Sequence, residues 1–204
     1  MPTDSNTPVL QYLRLSAKKS ASFGPHLALG VHRQSTSPGF IASLEGEIMA
    51  EADAWVALIL WQNAAEADRS TEELFHSDYF AEFANQVERV EANRLFTASA
   101  DALEKIRDSR YAKFAWIETL EPAPSFSWPA FVARQQTLFH ASQGFEAAFS
   151  FSPLKEMPQS GLVSTWGDSR ALRAAAALIQ DQRPSPEERS GSSEYFRITS
   201  SNPA

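Results

Sequence analysis

Trp61, Asn63, His76 and Tyr79 crowd into one stretch, LILWQNAAEADRSTEELFHSDYFAEF (58–83), and their residue types could do chemistry together. An indole and a phenol make aromatic walls with one donor each, an imidazole titrates near neutrality, and a carboxamide adds further hydrogen-bonding groups. Trp128, His140 and Trp166 bring the same types into the second half. Such a set suits a dry pocket with aromatic walls and a base or hydrogen-bond donors. Each residue also has an ordinary structural reading. Trp61 and Trp166 end apolar runs and can anchor a core. Tyr79, Phe80 and Phe83 share helical spacing with Phe75, while His76 sits among Glu72, Glu73 and Asp78 on what reads as a solvated face. His140 falls near the end of a helix over 129–142, where the helix dipole favours a cation.

Composition removes several classes of function. The 204 residues carry 18 Lys and Arg against 25 Asp and Glu, a net charge of −7 with no basic stripe, so nucleic acid and anionic membranes are poor partners. Cysteine is absent, which excludes thiolate nucleophiles, disulfides and Cys-ligated metals. His26 and His32 are six apart with no carboxylate at ligand spacing, so no metal is expected. There is no Gly-rich phosphate loop, nucleophile elbow or zincin pattern. MPTDSNTP lacks the features of a signal peptide, and no apolar run nears the roughly 20 residues of a membrane span, so a cytoplasmic location is expected.

The elements that must position these side chains come in two matching sets. Gly39-Phe40 is followed 22 positions later by Trp61, and Gly144-Phe145 is followed 22 positions later by Trp166, with 105 residues between the copies. Before the first pair lie a strand (8–17) and a helix (22–34), and before the second a strand (111–120) and a helix (125–142). In both, a Ser-Phe and a Pro open the helix. FIASLEGEI (40–48), AWVALILW (54–61), FEAAFSFSP (145–153) and GLVSTW (161–166) read as strands. A single helix is expected over 64–86 and another over 169–181, capped by Asp168 or Ser169. Each half then closes on a short strand, 87–99 and 193–201, the latter after a polar loop, RPSPEERSGSS. The order strand, helix, strand, strand, helix, strand is the ferredoxin-like split βαβ unit. The expected fold is therefore α+β: two tandem units, 1–104 and 105–204, forming a pseudo-dimeric α/β barrel with antiparallel sheets.

Trp61 followed by His76-Ser77-Asp78-Tyr79-Phe80 resembles the antibiotic biosynthesis monooxygenase family of dimeric α/β barrels, most clearly over residues 54–97. The resemblance implies oxidation or binding of a small aromatic molecule without metal or flavin. Haem-degrading members share Ser77-Asp78 and Phe80, but they place a Trp where this chain has Leu74, a His where it has Ala84, and an Asn on the first strand that PVLQYLRLSA lacks. Many other members carry a His at the Leu74 position. His76 lies two residues on, about 200° around an ideal helix. The expectation is thus a monooxygenase-like protein with no cofactor, and a homodimer is open. The alternatives are a non-catalytic ligand-binding or stress-related protein on the same barrel, and an assembly module with a filled interior.

Overall fold

The computed structural model describes residues 7–18, 20–121, 126–154, 159–181 and 190–203. In chain order these form β1 (Val9–Ala17), α1 (Ser20–Gln34), β2 (Phe40–Ile48), β3 (Ala54–Trp61), α2 (Ala64–Phe75), α3 (Asp78–Gln86), β4 (Val87–Ala98) and α4 (Ala102–Asp108). A 3₁₀ turn at Ser109–Tyr111 leads into β5 (Phe114–Glu121), α5 (Trp128–His140), β6 (Phe145–Pro153), β7 (Ser160–Trp166), α6 (Ser169–Asp181) and β8 (Ser190–Pro203).

Every residue of AWVALILW is buried, which a strand with one wet face does not allow. Its side chains alternate between two cores. Val56, Leu58 and Leu60 point inward with Leu10, Leu44, Phe96, Ile117, Phe149, Val163 and Phe196, whereas Trp55, Ile59 and Trp61 point outward beneath the helices. Both faces of β7 are covered in the same way. The inner cluster is continuous because the strands close into one antiparallel barrel, β1-β3-β2-β8-β5-β7-β6-β4. The first half contributes the order β4-β1-β3-β2 and the second β8-β5-β7-β6, joined at two seams, β2 with β8 and β4 with β6. Closure removes most of the sheet edges that two separate four-stranded sheets would expose.

The two halves share local geometry at the 105-residue offset. Gly39 and Gly144 have φ of 81° and 77°, which side chains with a Cβ rarely adopt, and a Cβ at Gly39 would also lie 2.5 Å from Glu66. Their carbonyls accept from Gln62 and Gly167 at 2.7 and 2.8 Å. Beside them Phe40 pairs across the sheet with Trp61, and Phe145 with Trp166. The ring pairs meet edge-on, with centroids 5.8 and 5.4 Å apart.

Several elements differ from the sequence expectation. The helix over 64–86 is two helices, because Ser77 adopts extended backbone (φ −84°, ψ 149°) and its hydroxyl donates to the Leu74 carbonyl at 2.7 Å, ending α2 and starting α3. Pro25 lies inside α1 rather than at its start, while Pro129 does occupy the first turn of α5. The closing strand β4 runs 12 residues and is not short, and β8 begins at Ser190, so only 183–189 of the expected loop remain, and these lie outside the described residues. Helix α4 was not expected. It spans the division at 104/105 and buries Ala102 and Ile106 in the inner cluster, so it stoppers one end of the barrel.

One buried carboxyl bears on stability. Glu45 on β2 is 2% exposed; one oxygen accepts from Ser43 Oγ at 2.7 Å, and Oε2 has no partner. Burial pushes its pKa up, against the hydrogen bond from Ser43. Between the ordinary carboxylate range, about pH 4, and the raised folded value, the native state holds a proton that the unfolded chain has lost. Stability is therefore full below that range, falls as pH rises through it, and stays reduced above. Glu45→Gln is expected to melt higher than the wild type at neutral pH and to flatten the fall of Tm as pH rises above about 4. Equal melting temperatures at neutral pH would contradict this.

Candidate functional site

The outer face of β1 and β4, roofed by α2 and α3, carries an apolar cleft of about 240 Å³. Leu13 and Leu15 from β1, Leu74 from α2, Phe80 and Phe83 from α3, and Val87 from β4 form its walls. Phe75 and Val90 border it and are more than half exposed, large apolar side chains left facing water. The break at Ser77 shapes this roof, because it turns α3 so that Tyr79 and Phe83 pack inward while Phe80 meets Phe75 edge-on at 4.5 Å. An adjoining cleft of about 430 Å³ is lined by Gln11, Asp68, Thr71, Glu72, Phe75, His76, Asn93 and Leu95.

The floor shared by both clefts is polar and ordered. Trp61 Nε1 donates to Gln11 Oε1 at 3.0 Å, and Gln11 Nε2 donates to Asn93 Oδ1 at 2.9 Å and, more weakly, to Thr71 Oγ1 at 3.4 Å. Thr71 in turn donates to the Ala67 carbonyl. Gln11 is 4% exposed and fully hydrogen-bonded, as a buried amide must be.

In the second half an aromatic residue takes the strand position of Gln11. Trp116 stands at the Gln11 offset, paired with Ser164 and Tyr195 where Gln11 pairs with Ile59 and Leu95. Its ring stacks on Tyr195 at 5.8 Å and meets Phe139 edge-on at 6.0 Å. Trp166, lacking an amide partner on β5, donates to Ser164 Oγ at 3.0 Å instead.

The residues singled out in the sequence do not converge on one pocket. Trp61 and Trp166 are fully buried under the helices of separate halves, and Trp61 reaches the clefts described above through Gln11. Asn63 caps α2 by accepting from the Glu66 N–H at 3.0 Å, the role Asp168 takes before α6; two backbone N–H groups hold the Asp168 carboxyl below its usual range. Tyr79 is buried, donates to the His26 carbonyl and lies under the Arg33 guanidinium; burial pushes its phenol up to about 12. His76 is exposed on the rim of the larger cleft. Trp128 stacks on Phe131 at 5.3 Å, and exposed His140 meets Phe145 edge-on. Gln11, Thr71 and Asn93 are not among the residues that the sequence singles out. The available signal was Gln11, an amide on a strand whose outward neighbours Val9, Leu13 and Leu15 are apolar.

A third cavity, about 310 Å³, opens at the barrel end opposite α4. Arg14 there pairs with Glu51, Glu91 and Glu194, and Tyr12 donates to Glu194 at 2.5 Å. Burial, and then Glu194, push the Tyr12 phenol up. These groups satisfy one another and tie β1, β4 and β8 together, and no group of three or more metal-ligating side chains occurs among the described residues.

No family model and no curated protein matches the chain. Solved structures do match its fold. A protein from Fusobacterium nucleatum named "Putative monooxygenase" superposes with a TM-score of 0.65 at 8% identity over 97% of this chain and 94% of that one. An anthrone oxidase-like protein gives 0.61 at 14% identity, covering 98% and 94%, and a haem-binding protein from Thermus thermophilus gives 0.61 at 8%, covering 96% and 92%. At these identities the likeness is one of architecture, that of the ferredoxin-like dimeric α+β barrel proteins. Haem does not fit the clefts seen here. His76, the one His lining any of the clefts described above, stands exposed beside the Asp68 and Glu72 carboxylates, which would repel haem propionates. No helix among the described residues is long and apolar enough to cross a membrane.

Proposed function

We propose that this chain is a monooxygenase-like protein that takes a small apolar or aromatic molecule into the cleft between α2–α3 and the β1–β4 face, needing neither metal nor flavin to hold it. The observation that carries the reading is the apolar cleft of the first half, held over a hydrogen-bonded polar floor whose Gln11 position is taken in the second half by Trp116. A packing surface alone gives no reason for an unfilled apolar cleft rimmed by exposed Phe75 and Val90. At about 240 Å³ the cleft lies below the roughly 300–1,000 Å³ of typical ligand sites, which favours a ligand of one or two rings, or a larger one that spills into the adjoining cleft. The halves act as a fused pair in which the first supplies the site and the second completes the barrel.

Binding without catalysis is the second reading. Its support is that the apolar cleft holds no buried base; Glu88 and Arg89 stand on its exposed edge and His76 on that of its neighbour. A thermal-shift screen with quinols, anthrones and haem tests the shared premise. A small quinol or anthrone is expected to raise Tm by a few degrees at saturating concentration and haem to leave it unchanged. Leu74→Trp, which fills the cleft, is expected to abolish the shift. No stabilisation by any quinol or anthrone would sink both readings, and oxygen consumption with the ligand that binds separates oxidation from binding.

A further inference from the structure

The indole N–H of Trp61 can only donate, so the Gln11 amide is fixed with its oxygen toward Trp61 and its NH₂ away. That NH₂ requires an acceptor on Asn93, so Asn93 must present Oδ1 to Gln11. The orientation of both amides follows from the chemistry of one indole and needs no choice between nitrogen and oxygen. Asn93 Nδ2 is left with two donors and no acceptor among the described residues, on a side chain that lines both clefts.

We infer that Asn93 is the residue that reads the ligand, donating from Nδ2 to a carbonyl oxygen on an aromatic ring system held against Leu13, Leu74 and Phe83, with Gln11 and Trp61 as positioning residues. The inference rests on the cleft being the ligand site. It adds a polarity to that site: the ligand must offer an acceptor, and a ligand of equal size offering only a donor is disfavoured. No proton is transferred and no bond is made in this step.

The probes are 1-tetralone, which carries the carbonyl, and tetralin, which lacks it, titrated into the full chain with dissociation constants read from amide and methyl NMR shifts. The wild type is expected to bind 1-tetralone about tenfold more tightly than tetralin, the worth of one well-placed hydrogen bond. Asn93→Asp keeps an oxygen for Gln11 but turns a second oxygen toward the ligand. It is expected to lose that preference while tetralin binds as before, and because Asn93 is exposed the fold should survive. Gln11→Glu tests the relay: without an NH₂ at position 11, Asn93 rotates to donate inward and shows Oδ1 to the cleft, so selectivity shifts to 5,6,7,8-tetrahydro-1-naphthol. If the wild type binds 1-tetralone and tetralin equally, or Asn93→Asp leaves the preference intact, the inference falls while the cleft stands. If neither probe perturbs the cleft, the inference falls together with the proposed function.

Discussion

Trp61→Ala is expected to cost about 3–5 kcal/mol of stability, in the range for deleting a buried Trp from a core. For a chain of this length that corresponds to a fall in Tm on the order of 10 °C. The indole is fully buried, in edge contact with Phe40, and its N–H satisfies a buried amide, so truncation removes packing and leaves Gln11 Oε1 without its donor. Trp61→Phe separates the two losses. It keeps most of the ring volume and the Phe40 contact, should cost about 1–3 kcal/mol, and frees the Gln11 amide to turn over. Trp166→Phe is the control: it carries the same packing loss, but the freed partner is Ser164, far from the cleft, so ligand binding there should not change. Thermal melts with ligand titrations on the three variants check this. If Trp61→Phe and Trp166→Phe had the same effect on binding, Trp61 would be an anchor and nothing more.

That dual role explains how far the sequence could be read. The bounds of β2, β3, β6 and α6 follow directly from apolar runs set off by Gly39, Gly144 and the cap at Asp168, because each of those residues answers a local backbone demand. Trp61 and Trp166 are legible as matching anchors for the same reason. What escaped depends on partners far away in the chain. Gln11 and Asn93 are 82 positions apart and meet only because β1 pairs with β4. Nothing local marks Asn93, which sits in an exposed, charged stretch, VERVEANR. His76 looked chemical from its type but closes a helix at the surface. The seven residues of α4 are too few for a clear helical period, and its burial comes from the barrel end it stoppers.

The barrel itself depends on its seams, and Gly46→Val tests the one between β2 and β8. Gly46 faces Ile198 across that seam, next to a register shift between Glu45 and Gly46. A Cβ there would lie 2.3 Å from the Arg197 carbonyl oxygen and 2.6 Å from the Phe196 ring, both below any tolerable contact. Phe196 is fully buried in the inner cluster and the carbonyl is backbone, so relief requires β2 and β8 to move apart rather than a side chain to swing away. Overpacking of this kind costs about 1–3 kcal/mol or more, and here it acts on the ladder that holds the first half to the second. Gly46→Val is therefore expected to lower Tm by several degrees and to speed hydrogen exchange of amides along Phe196–Asn202, while those in the β1–β3 ladder stay protected longer. Gly24→Ala gives the comparison, since its Cβ would meet only the rim of the Trp55 ring, at 2.7 Å, outside the seam. Uniform loss of protection in both ladders of Gly46→Val would mean that the barrel opens as one unit; early loss at β8 alone would place the weakest join between the halves at this glycine.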